Sequence, residues 1–239
     1  KGWVYYIMKI CGLQKTTLLD FPERVACTVF TGGCNFRCPF CHNSELLGSE
    51  AEEDYTEEEI FDFLHKRKGI LEGVCITGGE PTLQPDLEDF IRRIRSMGLA
   101  VKLDTNGYRP GLLKDLCKKG LLDFVAMDIK ASRDDYGKVC GVQGLHMEYI
   151  DESIDFLLSG SVPYEFRTTV VRGLHTADDF SKIGPWIKGC PRYYLQCFTE
   201  SGQVLVPGVY SDFTKDEMLV FADLVRPYVG QVSLRGIDY

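Results

Sequence analysis

Three cysteines stand close together at Cys34, Cys38 and Cys41, spaced C-x3-C-x2-C on a loop that opens with Gly32 and Gly33. Thiolates are the usual protein ligands of iron–sulfur clusters, which normally take four. Three within eight residues can grip one face of a [4Fe–4S] cluster, and no fourth cysteine lies near. One iron would then stay open to an external ligand, as a catalytic cluster needs. The competing reading is a Cys3His zinc site completed by His42 or His65. Structural zinc sites usually add a second, distant ligand pair, which this sequence lacks, and His42 directly adjoins Cys41. The cluster is the stronger reading. The other seven cysteines, Cys11, Cys27, Cys75, Cys117, Cys140, Cys190 and Cys197, form no CxxC pair and read as small buried apolar residues.

Further short segments carry chemistry. Gly78-Gly79-Glu80-Pro81 ends an apolar run; its glycines let a ligand approach the backbone, and its carboxylate could take an ammonium. Asp104-Thr105-Asn106-Gly107 and Met127-Asp128-Ile129-Lys130 end two more runs. Asp104 and Asp128 could bind ribose hydroxyls or share a monovalent cation, and Lys130 could meet a carboxylate. Each also has a plain structural reading, since Asn106-Gly107 is a common turn and Asp128 with Lys130 could be a surface ion pair.

The elements that must position these groups alternate in period. Strands are expected at 25–30, 74–77, 100–104, 124–129, 165–171 and 193–197, with a last short one at 232–235. Thr56 with Glu59, and Thr214 with Glu217, make capping boxes that open helices. Leu87, Phe90, Ile91, Ile94 and Met97 recur at helical spacing before Gly98. Helices at 112–119, 150–158 and 178–187 complete the series, and Pro227 ends the last. Six βα units in succession imply an α/β fold with parallel strands and right-handed crossovers. Periodicity leaves both an open doubly wound sheet and a barrel available. Either gathers its active groups after the C-terminal ends of the strands, where all the motifs above fall.

Composition narrows the partners. The 239 residues carry a net charge of −8, which disfavours nucleic acid or anionic lipid, because both need a large basic surface. No apolar run approaches the roughly 18 residues that span a bilayer. The apolar stretch 3–8 lacks a cleavage site, so it does not read as a signal peptide, and Met8 could be an internal start. A cytoplasmic setting is expected. The division expected is one domain over 1–239: an N-terminal extension to 24, a βα core over 25–200, and a C-terminal helix and strand over 201–239.

Cysteine spacing and position resemble the radical S-adenosylmethionine (SAM) superfamily, whose signature is CxxxCxxC after the first strand of a βα barrel. Phe40 fills the aromatic place that family commonly has before its last cysteine. The resemblance implies a partial (β/α)6 TIM-like barrel with a short N-terminal strand extension. It also implies a [4Fe–4S] cluster and SAM as cofactors, with Gly78, Gly79 and Glu80 at the SAM amino group. Cys41-His42-Asn43, Leu103 to Gly107, and Asp128-Ile129-Lys130 resemble the activating enzymes of glycyl radical enzymes. Leu18-Leu19-Asp20-Phe21-Pro22 looks most like the anaerobic ribonucleoside-triphosphate reductase activating proteins. The likeness runs from about Leu13 to Lys130; beyond it, Arg167 on an apolar strand is placed at the site. Phe40, Asp104, Asn106, Asp128, Lys130 and Arg167 are thus cofactor-binding expectations.

The implied reaction is reductive cleavage of SAM and removal of hydrogen from a backbone glycine of a partner enzyme. Electrons would come from a flavodoxin- or ferredoxin-type reductant, which must meet this acidic chain through complementary basic patches. Pyruvate formate-lyase activation, or a small-molecule radical SAM reaction, are the alternatives. Two departures stand out. The pyruvate formate-lyase branch has a histidine after the sixth strand, where this chain has Gln196 to Thr199, and 43–74 holds no cysteine for an additional cluster.

Overall fold

The computed structural model describes residues 8–48 and 51–237. The apolar stretch 3–8 therefore lies, except for Met8, outside the described residues. The chain forms two compact units and crosses between them repeatedly. One comprises the chain up to Asn35, Glu45–Thr105 and Gly111–Val125; the other comprises Phe36–Ser44, Asn106–Pro110 and the chain from Ala126. Neither is a contiguous stretch.

In the first unit, β1 (Ile10–Thr17) pairs antiparallel with β2 (Ala26–Thr31), with Leu13 opposite Val29. It supplies the expected N-terminal strand extension. β3 (Gly73–Gly78) and β4 (Ala100–Thr105) then add in parallel, Cys27 beside Val74 and Val74 beside Val101. Ala26, Cys27, Val29, Val74, Cys75, Ile76, Val101 and Leu103 are all buried. Near-continuous apolar burial is what a parallel strand covered on both faces requires. The covering helices are α1 (Glu57–Lys66), α2 (Leu87–Ser96) and α3 (Pro110–Lys118). The Thr56 and Glu59 capping box opens α1 as expected, Glu59 Oε2 accepting the Thr56 amide at 2.9 Å. Leu87, Phe90, Ile91 and Ile94 form the buried stripe of α2.

β5 (Phe124–Asp128) starts in the first unit and ends in the second. In the second unit β6 (Tyr164–Val170), β7 (Tyr193–Cys197) and β8 (Val232–Arg235) run parallel, with Phe166 beside Tyr193 and Leu195 beside Leu234. Its helices are α4 (Tyr136–Val139), α5 (Met147–Leu158), α6 (Ala177–Trp186) and α7 (Lys215–Val225). Phe180 of α6 stacks on Phe221 of α7, ring centres 4.7 Å apart. The whole is a mostly parallel sheet flanked by helices, as a partial βα barrel of the expected type has. Among the described residues no helix is long and apolar enough to cross a membrane.

Candidate active site

In the first unit the cysteine loop and the glycine turn are laced backbone to backbone. The Gly79 amide donates to Thr31 O and the Glu80 amide to Gly33 O, both at 2.8 Å. Gly33 adopts φ 85° immediately before Cys34. A Cβ on Gly79 would lie 2.0 Å from Gly33 O, and one on Gly78 2.4 Å from Thr31 N. Only glycine lets these two strand ends approach so closely. Cys34, half-buried, follows directly.

Glu80 turns inward. It is 1% exposed, and its Oε1 accepts from Thr82 Oγ1 at 2.6 Å, Thr105 Oγ1 at 2.7 Å and the Thr82 amide at 3.2 Å. The carboxylate therefore staples the end of β3 to the end of β4. Alanine here would remove an acceptor from two buried hydroxyls. Glu80→Ala is expected to lower stability by about 1–3 kcal/mol. Glu80→Gln, which keeps an acceptor oxygen, should lose clearly less; denaturant unfolding of both variants checks this, and equal losses would contradict the staple.

On β4, Lys102 and Asp104 share a face, and Lys102 pairs in register with Cys75 of β3. Lys102 Nζ donates to Asp104 Oδ1 and lies 3.7 Å from Cys75 Sγ. Asn106, 5% exposed, accepts the Tyr108 amide at 3.0 Å and so forms the expected turn. Gly107 takes φ 77° with its α-carbon against Met127.

The second unit carries Cys38 and Cys41, the Cys41 amide donating to Cys38 O at 3.0 Å. This loop is anchored on both sides. The Arg37 amide donates to Cys140 O at 2.8 Å, and Pro39 O accepts the Val206 amide at 2.9 Å. His42 stacks on Phe198, and its Nε2–H donates to Thr199 O at 2.7 Å. That bond uses Nε2 on the protein, which leaves only Nδ1 for any role toward a sulfur. Gln196 points to solvent, while Leu195 and Cys197 are buried.

Asp128, Lys130 and Arg167 form one ionic group: Lys130 Nζ donates to Asp128 Oδ2 at 2.9 Å and Arg167 Nε to Oδ1 at 3.0 Å. Burial alone would raise the Asp128 carboxyl and lower the Lys130 ammonium. The ion pairing reverses both, holding Asp128 well below the usual carboxylate range and Lys130 well above the usual amine range. All three are charged at neutral pH.

His175 is 3% exposed and holds this group in place. Its Nδ1 accepts the Val171 amide at 3.0 Å, so Nε2 carries the proton and donates to Lys130 O at 2.8 Å. Burial holds the imidazole below its ordinary range and so neutral. Phe40 meets the same ring edge-on, centres 6.4 Å apart. The adjacent Thr176, which caps α6 with Asp179, was the available signal that His175 sits at an ordered strand-to-helix junction.

Asp104 and Asp128 each have a cationic side chain of this chain as partner. Among the described residues no three histidine, cysteine or carboxylate groups converge on a single metal ion. The donor chemistry fits a cluster: three thiols lie on one short loop, and the backbone just before Cys34 is held by the Gly78-Gly79 turn packed against it.

The family described as the radical SAM superfamily matches residues 28–181. A Methanocaldococcus jannaschii protein provisionally named a glycyl-radical enzyme activating enzyme is 34% identical over 96% of this chain and 96% of its own length. A Thermococcus kodakarensis protein named a probable GTP 3′,8-cyclase is 34% identical over 64% of this chain and 50% of its own. Among solved structures, Streptococcus suis SuiB bound to S-adenosylmethionine superposes with a TM-score of 0.67 at 13% identity, over 85% of this chain and 48% of that one. That likeness concerns the fold alone. The chain spans about half the length of the last two.

Proposed function

The chain belongs to the radical SAM superfamily, and from that premise we propose that its 239 residues act as one catalytic domain, an activase that abstracts hydrogen from a backbone glycine of an anaerobic ribonucleoside-triphosphate reductase. The observation that carries this reading is the end-to-end likeness to the Methanocaldococcus protein named for glycyl-radical enzyme activation.

When bound, the cluster and SAM would supply the radical chemistry that the residues of this chain position. The residues of this chain bind and orient. Cys34, Cys38 and Cys41 would hold the cluster. Thr82 and Thr105 hold Oε1 of Glu80 inward, and the SAM ammonium would meet backbone carbonyls of the Gly78 to Glu80 turn. Lys130 gives one donor to Asp128 and has others for the SAM carboxylate. Asp128 fixes the Arg167 guanidinium beside it, and Phe40 offers an apolar face. Asp104 and Asn106 serve the ribose. Holding the radical against its target makes hydrogen transfer effectively unimolecular. A flavodoxin- or ferredoxin-type protein delivers the electron.

The test is anaerobic incubation of the reconstituted protein with SAM, reductant and the reductase labelled with deuterated glycine. Deuterium in 5′-deoxyadenosine and a glycyl radical signal are expected. Cleavage without transfer to this reductase, but with transfer to pyruvate formate-lyase, would move the assignment to that partner. Transfer from a nucleotide instead would favour the small-molecule reading, to which the half-length likeness to the Thermococcus protein lends support.

A further inference from the structure

We infer that the ammonium of Lys102 is a built-in counter-ion for Asp104, standing where a monovalent metal ion would otherwise be needed. The inference rests on radical SAM membership and not on which partner the enzyme activates.

Lys102 and Asp104 are two residues apart on β4, so their side chains leave the same face of the strand. Lys102 is 1% exposed and Asp104 12%, and the ammonium donates to Asp104 Oδ1. An ammonium that deep in the protein is tolerated only when a carboxylate stays ionised beside it. Cys75, the register partner of Lys102 on β3, closes the far side with Sγ 3.7 Å from the ammonium and 3.7 Å from Asp104 Oδ1. The carboxylate oxygen that would ligate a cation is thereby taken by a charge that cannot diffuse away. Asp104 stands one residue before the end of β4, the strand beside the one that leads into the Gly78 to Glu80 turn, so the lysine fixes the orientation of a carboxylate near the proposed SAM-binding turn. Lys102 is a positioning residue in this scheme, and Asp104 the group it positions.

The distinguishing experiment is cation replacement. Thermal unfolding of the cluster-free protein and SAM binding to the reconstituted protein are measured in potassium chloride and in tetramethylammonium chloride at equal ionic strength. The wild type should not distinguish the two salts. Lys102→Met leaves the carboxylate with a space of cation size. Its melting temperature should rise in potassium relative to tetramethylammonium, by mass action on the folded state. Its SAM affinity should recover about tenfold in the same exchange, within the usual range of coupling between two ligands. The double variant Lys102→Met with Asp104→Asn removes both charges, and it should fold and ignore the salt.

A wild type that itself needs potassium would overturn the inference. So would a folded Lys102→Met that is blind to potassium, or one that stays unfolded in potassium while the double variant folds. None of these readouts involves the reductase, so failure of the proposed partner leaves them standing.

Discussion

Alanine at any one of Cys34, Cys38 or Cys41 is expected to reduce SAM cleavage at least about a thousandfold, equivalent to roughly 4 kcal/mol of lost transition-state stabilisation. Iron and sulfide content should fall with it. A cluster normally takes four protein thiolates. One that relies on three has no spare ligand, and the remaining cysteines are badly placed to substitute. Burial pushes the Cys27 thiol up to about 12 and those of Cys117 and Cys190 to about 11, so each is protonated at neutral pH. The thiolate is the form that ligates iron. Cys75 lies in the buried Lys102 and Asp104 group. Cys75→Ser and Cys117→Ser should therefore keep wild-type iron content. Anaerobic iron and sulfide analysis, with 5′-deoxyadenosine quantified in parallel, checks both halves. Full cleavage by any variant of the trio would break the assignment, and a large iron loss at Cys117 would reveal a second site.

The features legible in the sequence were those whose signal is local. C-x3-C-x2-C, the glycine pair before Glu80, and the capping pairs Thr56 with Glu59 and Thr214 with Glu217 are short patterns with one physical meaning each, and the caps appear as read. Strand β1 was expected only as an extension. Its segment mixes Ile10, Cys11 and Leu13 with exposed Lys15 and Thr16, so its period is weak, and pairing with β2 creates it. The four-residue helix α4 is too short to show a period at all.

What stayed hidden depended on where side chains point. Glu80 looked like an outward ligand, but its hydroxyl partners, Thr82 and Thr105, come from different segments and draw it inward. The ion pair of Lys102 with Asp104, two residues on along the same buried face of β4, carries no pattern of its own in the sequence. The neutral state of His175 follows from an amide on one nitrogen and a carbonyl on the other. No spacing rule encodes either contact.

Gly79→Ala should weaken SAM binding strongly, although the residue carries no functional group. The added Cβ would stand 2.0 Å from Gly33 O and 2.7 Å from Gly33 C. Both are backbone atoms, so no rotamer change relieves the overlap, and one of the two strand ends must move. Such overpacking costs about 1–3 kcal/mol. Movement also breaks the 2.8 Å bond from the Glu80 amide to Gly33 O, for about 1 kcal/mol more. The larger effect is positional, because Gly33 carries Cys34 as its next residue and the carbonyls of this turn are those assigned to the SAM ammonium. SAM affinity is expected to fall on the order of a hundredfold, equal to about 2.7 kcal/mol. Gly98→Ala is the control. It too has positive φ, at 81°, but nothing lies within 4 Å of its added Cβ, so it should lower stability while leaving SAM binding unchanged. Calorimetric SAM titration of both variants, paired with denaturant unfolding, separates lost stability from lost geometry. Wild-type affinity in Gly79→Ala would mean that SAM does not rest on this turn, because a backbone contact cannot survive the shift that an alanine here imposes.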